Sequence, residues 1–175
     1  MIYAGIGSRN TPPSVIQDMR LFAYHAAKKG WVLRSGGAPG ADSAFEQGCD
    51  NANGMKEIFI PFADFNYRKS TLYPPSPEAH NLAKTIHPVY NRLSIRSKAL
   101  IARNMHQILG ADLDTPVDCV VCWTSDGCES FLTYDRNTGG TGSAIALASL
   151  HGIPVFNINT NDRFIDAVEF LLNGG

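Results

Sequence analysis

Trp31-Val32-Leu33-Arg34-Ser35-Gly36-Gly37-Ala38-Pro39-Gly40-Ala41-Asp42 begins as a short apolar run and passes through a glycine- and proline-rich turn. It then enters a segment with helical spacing that continues to about Asn51. Trp31 to Arg34 reads as a strand, so this stretch is one strand–turn–helix unit, and the same order recurs on both sides of it. Upstream, Ile2 to Ile6 is a strand. A helix follows, opened by Thr11-Pro12-Pro13-Ser14 and running to about Lys29, with Val15, Ile16, Met19, Phe22 and Ala23 on one face. Gly30 ends it. Downstream, Lys56 to Ile60 is a third strand, stopped by Pro61. Helices are expected at Pro77 to Ile86 and Asn91 to Leu109, followed by an almost wholly apolar strand from Val117 to Trp123. The chain closes with a helix inside Gly139 to His151, a strand from Ile153 to Ile158, and a helix from Asp162 to Leu172 capped by Thr160 or Asn161. This alternation predicts an α/β fold: a mostly parallel sheet in the order 3-2-1-4-5, with helices on both faces. Such sheets take ligands beyond the carboxyl ends of their strands, where the strand order reverses, here between strands 1 and 4.

Residues 1–175 are of a length for one domain, and 44% hydrophobic residues against 18% charged allow a substantial core. A net charge of −1 disfavours a dedicated nucleic-acid binder, although Arg92, Arg96, Lys98 and Arg103 form a local basic run without an acidic residue. No basic leader precedes the first strand, and no apolar stretch is long enough to cross a membrane, so a soluble cytoplasmic protein is expected. Phe62 to Pro77 is rich in Pro, Tyr and Phe and reads as a long surface loop. Its aromatic part, Phe62 to Tyr73, needs cover, which points to a homo-oligomer. Cys119 and Cys122 form a C-x-x-C, with Cys128 close behind and Cys49 elsewhere. That spacing invites zinc or redox chemistry, but residues three apart on a strand face opposite ways and buried cysteine packs as a small hydrophobe. The five histidines show no ligand spacing. No metal and no cofactor is therefore expected.

Three glycine-bearing turns fall at one edge of this sheet: Gly5-Ile6-Gly7-Ser8-Arg9, then Ser35 to Asp42, then Gly139-Gly140-Thr141-Gly142-Ser143. Glycine allows close approach of a ligand to the backbone, and free amides at a helix start favour an anion. Ser8, Thr141 and Ser143 add hydroxyls, and Arg9 can pair with phosphate or carboxylate. The third turn lacks the Lys of a Walker loop, and the first lacks the third Gly of G-x-G-x-x-G. A P-loop NTPase and an ordinary NAD dehydrogenase are both disfavoured.

Gly7-Ser8-Arg9, Gly36-Gly37-Ala38-Pro39-Gly40-Ala41-Asp42 with Glu46 four residues on, Arg103-Asn104, and Gly139-Gly140-Thr141-Gly142-Ser143 resemble the SLOG superfamily, most closely its YspA-like members. That superfamily includes the DNA-processing protein DprA (Smf) and the LOG phosphoribohydrolases. The resemblance implies a Rossmann-like three-layer sandwich binding a nucleotide or nucleotide-sugar, and some members cleave the N-glycosidic bond. It implies ligand contacts from Gly7, Ser8, Arg9, Gly36, Gly37, Ala38, Gly40, Arg103, Asn104, Gly139, Gly140, Thr141, Gly142 and Ser143. The chain departs from LOG enzymes at Ala146, where their G-G-x-G-T-x-x-E motif carries its active-site Glu, and from DprA at Glu46, where DprA carries a His.

Asp42 and Glu46 lie four apart, hence on one face of the second helix near its start. A carboxylate there can hold a ribose hydroxyl or act as general acid or base, so both are candidate catalytic residues. The alternative is a capping Asp42 and a solvated Glu46. Asp126, Glu129 and Asp135 lie between strand 4 and the third turn, where Glu129 could stand in for the missing glutamate. Three functions compete: a nucleotide N-glycosidase, a non-catalytic sensor or sequestering protein for a signalling nucleotide, and, least favoured by charge, a single-stranded DNA binder.

Overall fold

Residues 1–174 are described in a computed structural model. The elements are β1 (Ile2–Gly7), α1 (Pro13–Lys28), β2 (Val32–Ser35), α2 (Ala41–Asn51), β3 (Lys56–Ile58), α3 (Pro77–Ile86), α4 (Ile95–Leu109), β4 (Cys119–Trp123), α5 (Gly142–Leu150), β5 (Val155–Asn157) and α6 (Asn161–Asn173). The five strands form one sheet in the order β3-β2-β1-β4-β5, every pair parallel. The expected order is thus the observed one. β1 sits centrally, with Tyr3 opposite Leu33 on one side and Cys119 on the other.

Strand alternation divides the core in two. Tyr3, Leu33, Cys119 and Val121 face Met19, Phe22, Phe45 and Leu171 of α1, α2 and α6. Ala4, Ile6, Val120 and Cys122 face Ala79, Met105, Ile108 and Ile145 of α3, α4 and α5. The result is the three-layer sandwich that a doubly covered parallel sheet requires. Gly30, at φ 78°, lets the chain leave α1 and turn directly into the buried Trp31. The C-x-x-C is split by the sheet, Cys119 on one face and Cys122 on the other, and all four cysteines are free and buried. Burial pushes the Cys119 thiol up to about 12. Among the described residues no helix is long and apolar enough to cross a membrane.

Several boundaries differ from expectation: β4 starts at Cys119 and not at Val117, and β5 covers Val155–Asn157 and not Ile153 to Ile158. β3 ends at Ile58 because the next residues turn back on the long loop, where the Ile60 amide donates to the Leu72 carbonyl at 3.1 Å. α4 starts at Ile95, not at Asn91. Ser94 caps it by accepting from the Ser97 amide at 3.1 Å, and Tyr90–Arg92 forms a separate 3-10 turn. The Phe62–Pro77 segment is not loosely draped. Asn66 donates to the Gly37 carbonyl (2.9 Å) and Ser70 to the Ile58 carbonyl (2.6 Å), while Tyr67 is left 94% exposed.

Candidate functional site

A cleft of about 770 Å³ opens beyond the carboxyl ends of β1 and β4, the place the strand order predicts. Its floor is Ile6 to Asn10 and Trp123 to Ser125, and α4 is one wall. The α4 residues Ser97, Leu100, Ile101, Asn104 and Gln107 that line it recur at helical spacing over ~15 Å of axis. At the Ser97 end the lining is apolar, with Leu93 and Leu100 beside His87. At the Gln107 end it is charged, with Arg103, Asp42 and Arg9.

The first turn is held by its own backbone. The Ser8 amide donates to the Trp123 carbonyl (3.1 Å), and the Ser8 carbonyl accepts from the Ala41 amide (3.2 Å) and the Thr11 hydroxyl (2.8 Å). The Ser8 hydroxyl accepts from the Asn10 amide at 3.0 Å. A Cβ on Gly7 would come within 2.7 Å of the Ala41 Cβ, so glycine here lets β1 and α2 meet. Arg9 is exposed at the rim and its side chain pairs with no carboxylate among the described residues.

The second turn serves packing more than ligand contact. Only Ala38 and Asp42 of it line the cleft. A Cβ on Gly36 would overlap the Arg103 guanidinium, and one on Gly40 would meet the Ser8 and Arg9 backbone. Gly37 lies under Arg68. The outcome is a buried ion pair. Arg103 Nη1 donates to Asp42 Oδ2 at 3.4 Å, and Asp42 also accepts from the Ala38 amide at 3.2 Å. Burial raises the Asp42 carboxyl above its ordinary range; Arg103 and the Ala38 amide pull it back only in part, and Glu46 adds to the rise. Burial lowers Arg103, opposed by Asp42 and assisted by the nearby Arg9 charge. Among the described residues Asp42 is the one acidic residue in the lining.

Gly139, Gly140 and Thr141 of the third turn line the cleft, and space beside both glycines is open. Asn104 fixes this turn by donating to the Gly140 carbonyl at 2.7 Å. Gly142 and Ser143 lie behind it, against Tyr134, whose hydroxyl is 3.3 Å from that of Ser143.

Glu46 is not in the lining. Its carboxylate accepts from Arg68 (2.9 Å) and approaches Lys56 (3.7 Å), on the side of α2 that meets the long loop. Glu129 is also elsewhere, tied to Arg163 (2.7 Å) and to the Asn157 amide (2.8 Å). Ala146 is completely buried in the core. The basic run is dispersed: Arg103 turns inward, Arg96 lies over Phe62, Lys98 over Tyr90, and Arg92 is exposed. Asn137 and Thr138 reach the cleft from the β4–α5 connection, where Thr138 donates to Asp126 at 2.6 Å. Hydrogen bonds from Thr138, Thr124 and the Cys128 amide hold the Asp126 carboxyl below its usual value despite the opposing effect of partial burial.

Sequence reading did not single out Gln107, His87 or Thr124-Ser125 as lining residues. Gln107 follows Arg103 at i+4, and Thr124-Ser125 directly follow β4, so helix periodicity and the rule that ligands sit beyond strand ends would have found them. His87 carried no such signal. No family model and no curated protein matches the chain.

Proposed function

We propose that the cleft binds a phosphorylated nucleotide or nucleotide-derived ligand. One observation carries this reading: a cleft of about 770 Å³ at the strand-order reversal has two arginines and one buried carboxyl at one end and an apolar wall at the other. Arg9 and Arg103 suit a phosphate, the amides and hydroxyl of Gly139–Thr141 can add donors, and Asp42 lies beside them for the sugar. Leu93, Leu100 and Ile101 give a ring an apolar surface. The resemblance of Gly36 to Asp42 to the SLOG superfamily supports the same ligand class.

The chemistry that fits this lining is cleavage of the N-glycosidic bond. The C1′–N electron pair leaves on the base, Asp42 supplies the base with a proton, and a water oxygen adds to C1′ as the water's proton returns to the Asp42 carboxylate. A second reading, binding without turnover, is favoured by Ala146 in place of a glutamate and by Glu46 facing away from the cleft. A panel of nucleotides incubated with the wild type, Asp42→Asn and Glu46→Gln separates them. Hydrolysis predicts free base from the wild type and Glu46→Gln and none from Asp42→Asn. Tight binding with every nucleotide recovered intact supports the second reading, and absence of binding contradicts both.

A further inference from the structure

Arg103 is poorly satisfied for a residue only 6% exposed. Its Nη1 makes one long bond to Asp42, its buried Nε has no partner, and its Nη2 makes no hydrogen bond within the described residues. A guanidinium offers five N–H donors in a planar fork suited to a two-oxygen acceptor. Arg9 brings a second cation near enough to act on the charge of Arg103. An oxyanion entering this corner is attracted by two guanidiniums and repelled by one carboxylate, and protonating that carboxylate removes the repulsion. We propose that the cleft takes up its anionic group together with a proton, and that Asp42 is the group that receives it. This rests on the reading of the cleft as an anion site and adds its regulation: affinity for a phosphate-like oxyanion rises as pH falls.

The groups acting on Asp42 are Arg103 from α4, the Ala38 amide, and Glu46 one turn along α2, itself held by Arg68 and Lys56; Arg9, from the β1–α1 turn, acts on Arg103. His87 is a second titratable group in the cleft lining, and burial lowers it. Bound oxyanion competes with Asp42 for Arg103. It thereby removes the interaction that favours the carboxylate and leaves the desolvation that favours the acid. The bound state would then hold Asp42 as a neutral acid, the form needed to protonate a leaving base.

The test is calorimetric titration of the full chain with sodium sulfate, which stays doubly charged between pH 5 and 8 and brings no proton of its own. Two buffers of different ionisation heat count the protons taken up. The wild type is expected to gain protons on binding and to tighten as pH falls, by at most about tenfold per pH unit for one full proton. Asp42→Asn is expected to bind with a flat pH profile, and His87→Gln to behave as the wild type. Sulfate binding without proton uptake, an unchanged pH slope in Asp42→Asn, or a slope lost in His87→Gln overturns the proposal and leaves the anion site standing. Absence of sulfate binding at every pH overturns both. Should Asp42→Asn not fold, the two-buffer comparison on the wild type decides.

Discussion

Arg103 Nη1 stands 3.4 Å from Asp42 Oδ2, joining two side chains 61 residues apart in the chain, both nearly completely buried. The pair links α4 to the start of α2 across the charged end of the cleft. Each partner is costly without the other, because an unpaired charge in this position keeps its desolvation penalty. Arg103→Met is therefore expected to destabilise the fold by about 3–5 kcal/mol, and the double variant Asp42→Asn/Arg103→Met by clearly less than the sum of the singles. Urea unfolding of the four proteins measures this, and additive losses would contradict it.

The raised Asp42 carboxyl makes the stability of the fold depend on pH. Its folded-state affinity for a proton exceeds its unfolded-state affinity, so the folded protein binds more protons between the two pKa values. The contribution is fully present below the unfolded value near 3.8 and is lost as pH rises through the folded one. Wild-type stability relative to Asp42→Asn is expected to fall from pH 4 towards neutrality. Thermal unfolding of both proteins across that range checks it.

Gly36 is required for clearance. A Cβ there would overlap the Arg103 guanidinium, in a corner already closed by Gln107. Gly36→Ala is expected to cost about 1–3 kcal/mol, as overpacking does, and to weaken anion binding by displacing Arg103. Gly139→Ala, where a Cβ meets open space but φ is 71°, is the contrasting variant, with backbone strain and no clash.

The sheet order was legible because the strands are short apolar runs and every helix but α4 starts near a Pro, Gly or Thr signal. The start of α4 was expected at Asn91 and lies at Ile95: Ser94 stands three residues before Ser97 and ahead of an apolar repeat, but with no Glu or Gln at the third helical position it is a weak cap signature. The site was legible only in part. Gly7, Arg9, Asp42, Arg103 and Gly139–Thr141 reach one cleft, as sheet topology and turn chemistry imply. Glu46 shares a helix face with Asp42 by spacing, yet its direction is decided by Arg68, from a segment whose fold follows side-chain hydrogen bonds and has no periodicity. The role of Gly36 depends on a side chain 67 positions away, which no local pattern records.

Asn157 ties the β4–α5 connection to the sheet. It is completely buried, donates to the Thr124 hydroxyl (2.6 Å) and the Cys128 carbonyl (2.8 Å), and accepts from the Thr124 amide (3.2 Å). Asn157→Leu leaves those groups unpaired and is expected to cost about 1–3 kcal/mol. It should also speed amide hydrogen exchange from Thr124 to Thr138 more than in β1. Uniform acceleration across the chain would instead mean that Asn157 supports the whole fold and not this segment.

The proposed ligand of the cleft beyond β1 and β4 is a phosphorylated nucleotide derivative. Mass spectrometry of small molecules released on denaturing the freshly purified protein, run in parallel on Arg9→Ala, tests it most directly. A phosphorylated nucleoside derivative released by the wild type and depleted in Arg9→Ala is the predicted result. No such species from the wild type, together with no binding across a nucleotide panel, would contradict the claim.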